Sequence, residues 1–291
     1  MNIYSTDLII FIFIKFLLKS KVKENSSLPS FVWDAETYDE VSNTHEEWAR
    51  KIILSKNWSG KEIIMDAGCG SGRITKILSN LVPLGKIYAL DIDENMIKKA
   101  KNNLKDFKNV KIIQTNLLDI NFNNICSKFN IIFSNAVLHW ISDHYKVFKN
   151  FYELLLSNGQ LLIQCGGYGN LENTISIFNT VKDSSEFKPY FSNWKEEWNF
   201  AKPVDTEKTL KEIGYRDIKV YLEDYPVTFK DKNSYSIYLK TVVLGPYLKF
   251  IPSKKLQERF LQRIVSTKEK ENTQGQMLTL DYKRLNIFAS R

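Results

Sequence analysis

Two carboxylates and three glycines carry the chemistry that can be read from this chain. Asp66 ends the apolar run Ile63-Ile64-Met65, and Gly68, Gly70 and Gly72 follow at alternate positions. Glycine tolerates positive φ and lets a ligand approach the backbone. The N–H groups of a helix starting just after such a turn attract a negative group. The spacing is G-x-G-x-G, and Arg73 stands where a dinucleotide fingerprint would have its third glycine. Asp66 would repel a pyrophosphate but could hold an ammonium. A second apolar run, Ile87-Tyr88-Ala89-Leu90, ends in Asp91. That is about 20 residues further on, where a ribose-binding carboxylate is expected. An α-amino acid joined to a nucleoside satisfies all of these groups, and S-adenosylmethionine is such a molecule.

These residues need strand tips to carry them. Apolar runs at 63–66, 87–91, 110–114, 129–133, 160–164 and 218–222 alternate with helical patterns at 74–81, 94–104, 143–156 and 205–213. Strands alternating with helices predict an α/β fold, with a parallel-dominated, Rossmann-like sheet and helices on both faces. A last strand over 278–289, antiparallel beside the sixth, would bring the sheet to about seven. In such sheets ligands bind beyond the carboxyl ends of the strands. Asp66, Asp91, Asn116 and Asn135 all fall at those ends. Asn158-Gly159 reads as a helix stop. Thr44 and Glu47 form a capping-box pattern, and Trp48, Ile52 and Ile53 share one helix face expected to lie on the sheet.

Six segments result: an apolar extension at 1–30, a core at 31–167, an insertion at 168–204, core again at 205–230, a second insertion at 231–277 and a final strand at 278–291. The two aromatic-rich insertions are expected to meet over the strand ends as a helical cap. The aromatics at 31–38 would form a lid or pack the approach to the first helix. Within the extension, Leu8 to Leu18 is interrupted by Lys15 and falls short of the roughly 20 apolar residues of a membrane span. It lacks a basic leader and a cleavage site. Peripheral membrane contact, an extra packed helix and an untranslated upstream extension remain its three readings.

The 291 residues carry a net charge of +8 and include three cysteines, Cys69, Cys126 and Cys165, and three histidines. Scattered cysteines without C-x-x-C support neither a disulfide framework nor a metal site. A reducing cytoplasm is expected. The lysines are spread widely, so the basic balance reads as a solvated surface and disfavours a nucleic-acid partner. A monomer acting on a small molecule is expected.

Three segments together resemble the class I S-adenosylmethionine-dependent methyltransferases: residues 66–72, residues 89–96, and Phe133-Ser134-Asn135-Ala136-Val137-Leu138-His139-Trp140. The last, with the leading Trp33-Asp34-Ala35 and Tyr38, is similar to the trans-aconitate methyltransferase group. Malonyl-carrier-protein and juvenile-hormone-acid methyltransferases look related. The motifs cover about residues 60–167, and the resemblance is looser over 170–277 and absent over 1–28. It implies that Gly68, Gly70 and Gly72 pass the methionine moiety and that Asp66 faces its ammonium. Asp91 would take the ribose hydroxyls, with Ile92 and Met96 beside the adenine. Asn116, with Leu117 next to it, stands where the family usually has an aspartate for the adenine amino group. Asn135, Ala136 and Leu138 would line the methyl side, and His139 and Trp140 the substrate side. The implied reaction is O-methylation of a small, trans-aconitate-like carboxylic acid. Methylation of RNA or another anionic acceptor, and a non-catalytic scaffold, are the alternatives. Ser134-Asn135-Ala136-Val137 replaces the Asn/Asp-Pro-Pro-aromatic segment of base-amino methyltransferases, which argues against that chemistry. An ionised carboxylate needs no general base, so its recognition would fall to groups such as Arg259, Arg263, Tyr282 or Arg284.

Overall fold

A computed structural model describes residues 43–120, 125, 128–271 and 277–291. The extension, the aromatics at 31–38 and Cys126 lie outside the described residues. Helix α1 is Asn43–Leu54. Strand β1, Ile63–Ala67, leads through the glycine turn into α2, Arg73–Leu81. Next come β2, Lys86–Asp91, α3, Glu94–Asn103, and β3, Val110–Gln114. Strand β4, Phe129–Asn135, precedes α4, His144–Leu154, and β5, Leu155–Gly166. After α5, Glu172–Lys182, come α6, Pro203–Ile213, and β6, Arg216–Asp224. The remainder is β7, Val227–Phe229, α7, Lys232–Tyr238, a π-helical turn, Leu239–Val243, α8, Gly245–Leu248, α9, Lys254–Glu271, β8, Leu278–Leu280, and β9, Lys283–Ser290.

The main sheet has seven strands in the order β3-β2-β1-β4-β5-β9-β6. The five strands β1 to β5 pair in parallel, and β9 runs antiparallel between β5 and β6. Alternate residues of a strand face opposite sides. Ile64, Ile131 and Phe133 therefore pack under Ala49, Ile52 and Ile53 of α1 and Leu78 of α2. Met65, Ala67 and Ile132 pack on the other face with Val147, Phe148, Phe151 and Leu154 of α4 and Leu210 of α6. Burying each of those phenylalanines contributes roughly 1.5–3 kcal/mol. The third apolar cluster is the cap, where Phe178 and Phe187 meet Tyr235, Tyr247 and Phe260.

Three local expectations change. Residues 278–289 do not form one strand. The chain breaks at Asp281-Tyr282, so that β8 pairs with β7 in a separate ribbon while β9 enters the main sheet. The reason lies at Leu171, which precedes α5 at φ 56° and offers no capping side chain. Asp281 supplies that cap from 108 positions away, accepting the Asn173 N–H at 2.7 Å and the Thr174 hydroxyl at 2.5 Å. The break aims Tyr282 and Arg284 at the site. Second, Asn158-Gly159 is not a helix stop. It sits in the bulged start of β5, where the register with β4 shifts between Phe129 and Ile131, and a Cβ at Gly159 would lie 2.7 Å from the Phe129 carbonyl oxygen. Third, Trp48 does not share the sheet contacts of Ile52 and Ile53. It packs into the cap cluster against Tyr225 and Tyr282, at ring separations of 6.0 and 5.0 Å.

Candidate active site

The site forms at the carboxyl ends of β1, β2 and β4, starting with Asp66. Its carboxylate is buried and accepts the Thr75 hydroxyl of α2 at 2.6 Å. Burial pushes its pKa up to about 7, and the charge of Asp91 adds to the rise. Beyond it the turn is pinned to β2. The N–H groups of Gly68 and Cys69 both donate to the Leu90 carbonyl, at 2.7 and 2.8 Å. At Gly68 (φ 82°) an added Cβ would sit 2.1 Å from a Val137 methyl, so the turn and the end of β4 are packed backbone to side chain. At Gly70 (φ 54°) the same atom would meet nothing within 4 Å. Gly70 thus presents bare backbone to open space, while Gly68 makes the turn fit.

Asp91 fixes this loop as well as facing the cavity. Its Oδ2 accepts the Gly70 N–H at 2.8 Å and its Oδ1 the Asp93 N–H at 2.9 Å. Each carboxylate oxygen retains a lone pair for a ligand hydroxyl. Burial raises the Asp91 pKa against these two bonds. Asp93 in turn caps α3, accepting the Met96 N–H at 2.9 Å.

A cavity of about 370 Å³ runs from these residues to the cap. Asp91, Ile92, Met96, Thr115, Asn116 and Leu117 line one end, Gly68, Gly70, Asn135 and Ala136 the middle, and His139, Trp140, Leu171, Trp198, Phe200, Tyr282 and Arg284 lie among the residues of the other. Ile92 is 63% exposed, an apolar side chain held out as a floor. A smaller cavity of about 70 Å³ shares Gly68, Gly70, Asn135 and Ala136 with the first, and adds Asp66, Glu46 and Arg73. Arg73 Nη2 donates to Glu46 Oε2 at 2.9 Å, and Arg50 donates to Glu46 Oε1. Burial would raise the Glu46 carboxyl, but the bonds from Arg50 and Arg73 hold it below its ordinary value. The positive φ of 60° at Ala136 and 56° at Leu171 places two non-glycine residues in the left-handed region, both on the cavity wall. Such strain costs of order 1–3 kcal/mol per residue and gathers at functional sites.

On the acceptor side, His139 Nδ1 accepts the Gly166 N–H at 3.2 Å, which puts the proton of the neutral ring on Nε2. The His139 carbonyl accepts the Asn199 N–H at 2.8 Å, tying the segment after β4 to the first insertion. Trp140, Trp198 and Phe200 form a run of rings at 5.9 and 5.5 Å. Arg284 is 1% exposed, with its guanidinium 4.3 Å over the Trp48 ring.

The expected site residues therefore divide. Gly68, Gly70, Asp91, Ile92, Met96, Asn116, Leu117, Asn135, His139, Trp140, Tyr282 and Arg284 share the larger cavity. Asp66 lines the smaller one. Gly72 lines neither: it is the left-handed N-cap of α2, and a Cβ there would strike Leu104 at 2.7 Å. Asn116 is committed in part, since its Oδ1 accepts the Leu118 N–H at 2.9 Å and closes the turn after β3. Arg259 and Arg263 lie on the surface, both paired with Glu186. Leu138 is buried in the core beneath α4. Trp198, Phe200, Val242 and Val243 join the wall from the insertions, and Glu46 and Arg73 join the smaller cavity. The sequence signal for Arg73 was its place directly after the third glycine.

This sheet order and this site define a class I methyltransferase. The chain belongs to the methyltransferase-domain family, whose model matches residues 59–219, and its methyl donor is S-adenosylmethionine. It is 30% identical over 174 residues to malonyl-[acyl-carrier protein] O-methyltransferase 1 of Ilyobacter polytropus, covering 58% of this chain and 62% of that enzyme. Among solved structures, YcgJ of Bacillus subtilis superposes with TM-score 0.58 at 15% identity, covering 85% of this chain and 99% of that one. Phosphoethanolamine N-methyltransferase 2 of Haemonchus contortus, solved with S-adenosylhomocysteine, gives TM-score 0.53 at 17% identity, covering 88% of this chain and 56% of that one.

The residues present fit the donor. Bare backbone at Gly70 would admit its chain, Asp91 would take the ribose hydroxyls, and Ile92 and Met96 would form an apolar floor for the base. Asp66 and the Glu46–Arg73 pair suit the ammonium and carboxylate of the amino-acid end. Among the described residues no three His, Cys, Asp or Glu side chains gather as a metal site, and no helix is long and apolar enough to cross a membrane.

Proposed function

We propose that this chain esterifies a carboxylic acid by transferring the donor's methyl group to a carboxylate oxygen. The observation that carries this reading is Arg284, a fully buried cation on the acceptor wall, backed by the Trp48 ring. Arginine presents a planar fork that matches a carboxylate. The sulfonium supplies an already activated methyl, so the protein must align and dry the reactants rather than supply a base. Arg284 holds the acceptor, and an acid ionised at neutral pH attacks with its own lone pair. A guanidinium that pairs with the acceptor before the reaction also lowers its nucleophilicity, so Arg284 serves binding more than the chemical step. The ester formed is neutral and loses this ion pair, which favours its release. The Ilyobacter relative is named for O-methylation of a malonyl group, which ends in a free carboxylate.

The test is incubation with methyl-labelled donor and a panel of carboxylic acids. Base-labile, volatile label in the acid fraction is expected. Stable label in RNA or in amines, with none in the acids, would replace this reading.

A further inference from the structure

Resting on that carboxylate reading, we infer a further acceptor-binding residue: Asn170, whose side-chain amide holds one oxygen of the acceptor's carboxylate. Asn170 is 3% exposed and lines the larger cavity together with His139, Ser142, Tyr282 and Arg284. Those four are polar too and have contacts of their own. His139 Nδ1 accepts from Gly166, the Tyr282 hydroxyl donates to Tyr238 at 3.4 Å, and Arg284 packs over Trp48. Asn170 acts beside them and requires none of them to be unpaired.

The turn between β5 and α5 fixes the amide. The Asn170 N–H donates to the Gly167 carbonyl at 2.9 Å, and Gly169 between them has the φ of 78° that glycine adopts without strain. The Leu171 N–H donates to the Asp281 carbonyl at 2.9 Å, and Asn170 Oδ1 accepts the Lys283 N–H at 2.9 Å. The turn is thus held on either side of the break between β8 and β9. An asparagine amide can be placed in two orientations, and the Lys283 N–H selects one, because only the oxygen accepts. The NH2 group must face the other way. It lies 3.0 Å from the point where a Cβ on Gly166 would stand, with the edge of Phe200 2.7 Å from that same point. Among the described residues Nδ2 donates to no protein group, and it is not one of the sealed polar atoms left without a partner. It therefore opens on the cavity.

Its place along the sheet belongs to the acceptor side. The Ala136 N–H donates to the Gln164 carbonyl at 2.8 Å, so β5 passes the middle of the cavity at Gln164. Gly166 stands two residues, about 7 Å, further out along the strand. The His139 ring meets Gly166 at the same level. With its oxygen committed, the amide offers donors alone. Such a group suits an anionic oxygen better than a hydroxyl or an ammonium, which would bring a proton of its own. The bond it makes to an ionised oxygen is charge-assisted. With one carboxylate oxygen held, the other directs a lone pair at the methyl. The O–C bond forms as the C–S bond breaks, the electron pair goes to sulfur, and no proton moves.

The experiment compares wild type, Asn170→Asp and Asn170→Ala. Each full chain is melted and titrated with S-adenosylhomocysteine by calorimetry. Labelled donor is then supplied at pH 8 with benzoate, hexanoate, succinate and tricarballylate, and kcat and KM are measured for the acid that wild type methylates fastest. Asn170→Asp keeps an oxygen for the Lys283 N–H but replaces two donors with lone pairs. It should melt and bind S-adenosylhomocysteine as wild type does, while KM for the acid rises about 30-fold, the loss of one hydrogen bond to a charged group. Asn170→Ala should raise KM about as much and also melt lower, because the Lys283 bond goes too. A wild-type KM in Asn170→Asp, with loss only in Asn170→Ala, would make Asn170 a brace of the turn and overturn the inference while the carboxylate reading stands. Weakened S-adenosylhomocysteine in Asn170→Asp would overturn it as well, since the amide would then support the donor end. If wild type methylates none of the acids although S-adenosylhomocysteine binds, the inference and the carboxylate reading fall together.

Discussion

At the donor end a ligand meets backbone, the buried Asp66 and the half-buried Asp91. The Gly68–Gly72 turn is pinned to the neighbouring strand by Leu90 and Asp91, and packs against Val137 and Leu104. At the acceptor end a ligand meets side chains drawn from all over the chain: Trp140 after β4, Trp198 in the first insertion, Val243 in the second and Arg284 on β9, with Trp48 of α1 behind it. One end is built mainly from one strand–turn–helix segment and the strand beside it. The other exists only when the cap has packed. Damage should therefore spread differently from the two ends.

The largest effect is expected at Trp48→Ala. Trp48 is buried where the cap meets α1, against Tyr225, Tyr282 and Arg284. Truncating a buried tryptophan costs about 3–5 kcal/mol. Denaturant unfolding should show that loss in the midpoint. What survives should still bind S-adenosylhomocysteine, because Trp48 packs with the cap cluster and lines neither of the two cavities beside the glycine turn. Equal loss of donor binding would show that the two ends are one unit.

Asp91→Ala is the converse. It removes the acceptor of two backbone N–H groups as well as the carboxylate expected to take the ribose hydroxyls, and hydrogen bonds to a charged group contribute about 1.5–3 kcal/mol each. Calorimetry should show S-adenosylhomocysteine affinity reduced about 100-fold, with cap stability little changed. Asp91→Asn, which keeps one oxygen for Gly70, should lie between the two. An affinity unchanged in Asp91→Ala would remove Asp91 from the site.

This contrast also explains how far the sequence could be read. The strand tips, Asp66, the turn glycines and Asp91 were legible because strand period, glycine spacing and strand-end acids are local signals. The seven-stranded sheet with one antiparallel member followed from the same alternation. The break at Asp281 was hidden, because its cause is a helix start more than a hundred residues away that lacks its own cap. Arg259 and Arg284 looked alike in sequence. Only packing separates a surface arginine paired with Glu186 from one buried over Trp48. The Trp198–Phe200 wall was visible as an aromatic-rich stretch, but which of its rings face the ligand depends on Asn199 bonding back to His139.

The third expected effect concerns Asp66 and pH. With its pKa raised to about 7, Asp66 is protonated in the unliganded protein at pH 6 and ionised at pH 8. The native state keeps a proton that the unfolded chain releases near pH 4. This group therefore favours folding below pH 4 and loses that contribution as pH rises through 7. Only the ionised form would pair with the donor's ammonium. Affinity for S-adenosylhomocysteine should then rise about tenfold from pH 6 to pH 8, about 1.4 kcal/mol. Asp66→Asn should flatten both slopes. A wild-type affinity independent of pH over this range would mean that the ammonium is held elsewhere.

The smallest effect is the sharpest test of where the donor's amino-acid end lies. Arg73 and Glu46 are both partly exposed, so their pair contributes at most about 1 kcal/mol to the fold. Arg73→Ala should leave stability within that margin. The guanidinium nevertheless borders the small cavity that holds Asp66, and a carboxylate entering there would share it with Glu46. Affinity for S-adenosylhomocysteine should fall about fivefold in Arg73→Ala. Affinity for methylthioadenosine, which has the nucleoside and sulfur but no amino acid, should not change. Removing Glu46 instead, as Glu46→Gln, should tighten S-adenosylhomocysteine slightly, because Arg73 no longer divides its bonds. If both nucleosides weaken equally in Arg73→Ala, the arginine shapes the turn and does not read the ligand. The amino-acid end would then belong to the larger cavity, and the division between donor and acceptor ends would have to be redrawn.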